Sequence, residues 1–241
     1  MGNQQNQPEL VTQRYVITQE ASGLEEATEE KSCRLFKSLK FFSPKDNFFL
    51  LDKLFFFDQS DAFEGIEKMQ KTVSQNYQYY RSRLKGLEGN SILYSRLSEE
   101  DFSIRRQFLK STLEDKLDPT GFIAEEEKIW ILLQILFTVQ NLHTRDLTHS
   151  NIKPSNVLIT STNQVLLADF SFFKPHFFVN QDLDKIALCH PSLDEQCYLS
   201  PERFKESGKT EIVNFKTISS EELEVLKKSD VFAVGKINQV V

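Results

Sequence analysis

The chain has 241 residues, of which 39% are apolar and 27% charged, an ordinary globular balance with enough apolar side chains for a core. A formal net charge of −6 without any long Lys/Arg run argues against nonspecific nucleic-acid binding. Three scattered cysteines (Cys33, Cys189, Cys197) give neither a disulfide framework nor a metal-ligand spacing and fit a reducing, intracellular compartment, and no apolar stretch approaches bilayer-spanning length.

Met1-Gly2-Asn3-Gln4-Gln5-Asn6 offers the glycine that N-myristoylation needs, but Asn6 stands where Ser or Thr is usual, so the pattern alone leaves acylation of Gly2 open. Residues 1–12 are polar and glutamine-rich and read as a flexible lead. A short strand is expected over 14–18, followed by an acidic stretch at 25–30. Segments 33–42 and 47–57 are rich in Phe and Leu, and Ser43-Pro44-Lys45-Asp46 between them is turn chemistry, which predicts a hairpin. The 21 phenylalanines read as core filling rather than as a functional stripe. A long helix is expected over 62–84 and strands over 91–97 and 104–109.

From Ala124 to His143 the apolar residues Ile129, Leu132, Leu133, Leu136, Phe137, Val139 and Leu142 form a helical stripe wide enough for burial, with Glu125-Glu126-Glu127 at the positive end of the helix dipole. Two apolar runs, 157–159 and 165–168, flank Ser161-Thr162-Asn163 and predict a second hairpin. Strands first and helices later suggest an α+β protein of two lobes.

The chemistry concentrates after that helix. His149, Lys153 and Asn156 lie within Thr148-His149-Ser150-Asn151-Ile152-Lys153-Pro154-Ser155-Asn156, Asp169-Phe170-Ser171 follows the second hairpin, and Ser200-Pro201-Glu202 and Asp230-Val231-Phe232-Ala233-Val234-Gly235 come later. Each has a plain reading alone: turn or cap for Asp169 and Asn156, structural imidazoles for His143 and His149, a snorkelling surface chain for Lys53. In this order and spacing the set resembles the protein kinase superfamily, with its catalytic loop, DFG, APE and the start of its buried central helix.

The resemblance implies an α+β two-lobe kinase-like fold with an N-lobe over 13–109 and a partial C-lobe over 110–241, because the text ends six residues after Gly235. It implies ATP and Mg2+ as ligands, with Asp169 and Asn156 holding metal, Lys53 on the phosphates, Glu67 (or Glu64) orienting that lysine, Lys153 in the catalytic loop, and His149, Glu202 and Asp230 as structural motif residues. Glu202 is expected to lie buried without the arginine partner that it has in the family, a costly arrangement.

Three departures weaken catalysis. Asn151 replaces the catalytic aspartate, and an amide is a very poor base. Between Arg14 and Lys53 the only glycine is Gly23, so no glycine-rich phosphate loop exists. Ser171 replaces the DFG glycine, removing backbone freedom.

Within the superfamily, four features resemble the serine/threonine-kinase-like regulatory subunit of the class III phosphatidylinositol 3-kinase complex, a vacuolar protein-sorting family: Met1-Gly2-Asn3-Gln4, and the runs 128–136, 168–175 and 197–204. The likeness covers the whole chain and is sharpest over 128–204. It implies an acylated Gly2, the lipid kinase catalytic subunit and a coiled-coil autophagy subunit as partners, and a peripheral cytoplasmic location on endosomal, vacuolar or autophagic membranes. It implies regulation with weak or no phosphotransfer; a slow genuine serine/threonine kinase and a nonfunctional truncated copy are the alternatives.

Overall fold

The computed structural model describes residues 28–32, 36–43, 47–55, 66–88, 91–93, 95–98, 103–117, 123–180, 183–190 and 196–241. The strand expected over 14–18 lies outside them. The first half builds an antiparallel sheet from β1 (Thr28–Ser32), β2 (Phe36–Ser43), β3 (Phe48–Phe55), β4 (Ser95–Ser98) and β5 (Ser103–Gln107), in the order β1-β2-β3-β5-β4. The expected hairpin is formed: β2 and β3 pair from Phe36↔Phe55 to Ser43↔Phe48, and Asn47 takes the left-handed conformation (φ 56°) that an asparagine tolerates. β1 occupies part of the stretch that the sequence presented only as acidic.

Register decides which side chains reach the cleft between this sheet and the loop that holds Asp169. Lys53 pairs with Ile104 and Leu51 with Arg106, so Lys53 and Arg106 share a face of the sheet. Asp52 and Arg105 take the other face, where the guanidinium grips the buried carboxylate with bonds of 2.8 and 2.6 Å.

Helix α1 (Ile66–Arg83) crosses between β3 and β4 in sequence and buries Val73, Tyr77 and Tyr80 at helical spacing. Its fully buried Asn76 donates to Val213 O at 2.8 Å and accepts from Phe215 N at 3.0 Å, which ties it to the second half of the chain. There, the short α2 (Leu113–Lys116) is closed by a capping box from Thr112 and Asp115. Helix α3 (Glu125–His143) carries its three glutamates in the first turn. The second hairpin, β6 (Val157–Ile159) and β7 (Val165–Leu167), is formed as expected. A two-residue parallel pair joins β8 (Phe178–Val179) to β9 (Phe204–Lys205) around helix α4 (Leu183–Cys189), and α5 (Ser220–Val240) ends the fold. Nothing in the sequence reading anticipated α2, α4 or the β8–β9 pair.

Two expectations are corrected. The buried side of α3 is Ile131, Ile135, Thr138, Val139 and Leu142, of which Ile131, Ile135 and Val139 share a core with α5 residues Ala233, Val234 and Ile237 and with the β6–β7 hairpin. Ile129, Leu133, Leu136 and Phe137 instead join Trp130 on the opposite side, exposed by 42 to 63%. At 100° per residue both sets form stripes, so an α3 that is apolar on two sides gave no sign of which one packs. Nor does α5 begin at Asp230. Ser219 caps it by accepting from Glu222 N, and Asp230 falls at its middle.

Burial predicts contrasting costs for two adjacent residues on α3. Ile135→Ala, fully buried, should lower unfolding free energy by about 2–5 kcal/mol, and exposed Leu136→Ala by about 0.5 kcal/mol or less, measured by urea unfolding.

Candidate functional site

The site grows from the segment between α3 and β6. Asp230, 1% exposed, reaches it from α5 and accepts from His149 N at 2.8 Å and Ser150 N at 2.7 Å. His143 Nε2 meets the same carboxylate at 3.1 Å. These bonds hold Ser150 at φ 57°, a left-handed strain that a serine keeps only under such restraint. The buried His149 ring lies against Phe170 with centroids 4.4 Å apart, and Phe170 meets Tyr80 of α1 edge-on at 5.5 Å. A packed column thus runs from α5 through the loop to α1.

Asn151 and Asn156 close a hydrogen-bonded ring against the end of β7. Asn156 Nδ2 donates to Asn151 O at 2.7 Å, Asn151 Nδ2 donates to Asp169 O at 2.9 Å, and Ala168 N donates to Asn156 O at 3.0 Å. The donor end of the buried Asn156 amide is therefore spent inside the protein, and its Oδ1 is the end suited to a hard cation. Asp169 itself sits at φ 63°, whereas Ser171 is outside the left-handed region. The conformational demand at this hinge falls on Asp169, so the missing DFG glycine is not needed for this geometry.

Lys53 Nζ donates to Asp169 Oδ2 at 2.6 Å, joining the sheet to the loop after β7. A second cation stands beside it: Arg106 donates from Nε to Oδ1 at 3.1 Å and from Nη2 to Oδ2 at 3.2 Å. Burial would raise the Asp169 pKa, but Arg106 and Lys53 outweigh it and hold the carboxyl well below the usual carboxylate range. For Lys53, burial lowers the pKa from its ordinary value; Asp169 opposes this, while Arg106 and Lys153 add to it. Lys153 is half-buried. An ionised carboxylate, an amide oxygen and two cations form a donor set that fits a magnesium nucleotide. Among the described residues no group of three or more His, Cys, Asp or Glu could hold a metal ion.

The other predicted residues fare differently. Glu202 is exposed, which removes the expected cost of a buried unpaired charge. Glu67 lies in the first turn of α1, but its side chain, like Glu64 and Gly2, falls outside what is described. Sequence reasoning missed Arg106 and Arg203. The fully buried Arg203 donates to His176 O at 2.7 Å, Ser150 O at 3.1 Å and Pro175 O at 2.8 Å, fastening the loop to the segment after Phe173. Burial lowers its pKa to about 10, still charged at neutral pH. Its place directly after Glu202 was the only signal available. Arg106 had none, since pairing with β3 alone turns it inward.

A protein kinase domain model matches residues 91–238. "Serine/threonine-protein kinase VPS15" of Arabidopsis thaliana is 36% identical over 132 residues, 54% of this chain and 8% of that protein. "Probable serine/threonine-protein kinase vps15" of Dictyostelium discoideum is 26% identical over 210 residues, 85% of this chain and 10% of that protein. "Mitogen-activated protein kinase kinase 7" of Arabidopsis thaliana is 34% identical over 88 residues, 36% of this chain and 27% of that protein. The chain spans a tenth or less of the length of these two VPS15 relatives.

Removing the Asp230 carboxylate strands two buried backbone N–H groups. Asp230→Ala should cost about 2–5 kcal/mol in a urea melt, with loss of amide-exchange protection at residues 149 and 150.

Proposed function

The chain belongs to the protein kinase domain family, and from that premise we propose that it is a VPS15-like kinase-homology module that binds magnesium ATP and regulates a class III phosphatidylinositol 3-kinase, with weak or no phosphotransfer of its own. The observation that carries the nucleotide half is the Lys53–Asp169 contact across the cleft, backed by an Asn156 whose acceptor end is left for a cation. In such a site Asp169 and Asn156 would hold the metal and Lys53 would meet the phosphates, and the metal would offset phosphate charge.

The weak-transfer half rests on Asn151. Its Nδ2 is committed to Asp169 O, and its amide oxygen cannot take the proton of an attacking hydroxyl at neutral pH. Positioning and electrostatics supply most of the acceleration in phosphoryl transfer, so a residual slow rate is compatible with this loop. That makes slow serine/threonine kinase activity the second reading, favoured by the intact grip on Asp169. Partnership with the lipid kinase and with a coiled-coil autophagy subunit, acylation of Gly2 and residence on endosomal, vacuolar or autophagic membranes belong to the same proposal, supported by the VPS15 likeness. One acyl chain anchors only marginally, so the lipid kinase or a lipid surface must add the second contact.

If magnesium ATP binds, the melting temperature of the 241-residue chain rises with its concentration, equivalent to about 2.7 kcal/mol at a hundredfold excess over Kd. Lys53→Met, which removes a cation proposed to meet the phosphates, should shrink the rise. A wild-type chain unmoved at saturating magnesium ATP favours the nonfunctional copy instead, and phosphate transfer that vanishes in Asp169→Ala selects the slow kinase.

A further inference from the structure

Arg106 is 7% exposed and sits on the cleft face of β5, diagonal to Lys53 on β3. Its guanidinium is fixed at both ends of its fork. Nη1 donates to Gln107 O at 3.1 Å, while Nε and Nη2 span both oxygens of Asp169. With Lys53 on Oδ2, the single carboxylate is shared by two cations, and the three groups carry a net charge of +1.

That surplus has two consequences. A divalent ion approaching Asp169 meets two resident cations in the same small volume, and like charges repel strongly where water is scarce. A phosphate, in contrast, meets net positive charge and the two guanidinium N–H groups that Asp169 and Gln107 O leave unused. The stretch from Arg14 to Lys53 holds one glycine, Gly23, so it carries no glycine-rich motif for phosphates, and side-chain charge matters more.

We propose that Arg106 is a specificity-determining residue of the nucleotide site, a built-in counter-cation that does part of a metal ion's work and makes phosphate binding largely independent of divalent metal. This rests on the reading of the cleft as a nucleotide site. A purely structural Arg106 would hold Asp169 in place and leave the metal dependence of binding unchanged.

The test is calorimetric titration of the whole chain with ATP, once in magnesium and once in EDTA. Wild type should show Kd values within about threefold of each other. Arg106→Met should weaken binding in EDTA by about tenfold or more, as expected for one lost charged donor, and widen the EDTA-to-magnesium ratio accordingly. Arg106→Lys, which keeps the charge without the fork, should fall between. Wild-type binding that needs magnesium by tenfold or more overturns the inference and leaves the nucleotide reading standing, and this comparison decides even if Arg106→Met does not fold. A ratio unchanged in a folded Arg106→Met overturns it equally. Absence of ATP binding in both buffers overturns inference and reading together.

Discussion

Two consecutive backbone N–H groups, those of His149 and Ser150, converge on the buried carboxylate of Asp230, and the geometry of the cleft follows from that convergence. Without it, Ser150 has no reason to hold a left-handed conformation, and His149 no reason to present its ring to Phe170. Phe170 in turn fixes the turn in which Asp169 stands, and Tyr80 couples that turn to α1. The dependence runs one way: α5 is held by its own core with α3 and the hairpin, so the carboxylate is delivered by packing rather than by the loop it organises. Burying a carboxylate is expensive unless its lone pairs are used, and here two N–H groups and an imidazole nitrogen use them.

On the cleft's far side the sheet supplies charge by register. A one-residue slip between β3 and β5 would turn Arg106 outward and bring Arg105 in, taking Asp52 from its partner. The Asp52–Arg105 pair on the outer face therefore works as a lock on the inner one. Inside, two cations against one carboxylate leave the cleft electropositive within a chain whose overall charge is −6, a local field that favours anions.

Much of this was legible in the sequence where the signal was local. Turn residues at 43–46 and 161–163 marked both hairpins, and ordered motifs marked the loop, because hairpins and short catalytic segments encode themselves within a few residues. What stayed hidden depends on partners distant in the chain. Arg106 acquires its role only from β3, and Arg203 only from carbonyls of residues 150, 175 and 176. The α3 stripes were indistinguishable because amphipathicity names a buried face only when the other face is polar. The burial expected of Glu202 failed for a related reason: a motif carries residue identity, not the neighbours that surround it.

Asparagine at position 151 sets a structural demand beside a catalytic one. In an active loop the side chain there must accept a proton, a demand made only in the transition state. In this chain the same position donates to Asp169 O, a demand made by the folded state at all times. An amide meets the second demand and an ionised carboxylate cannot, since it has no proton to give. The loop spends this side chain on a structural bond, and Lys53, Asn156 and Asp169, the groups proposed to hold nucleotide, keep their places around it. Holding and transferring are served by different atoms, so one can be given up while packing continues to maintain the other.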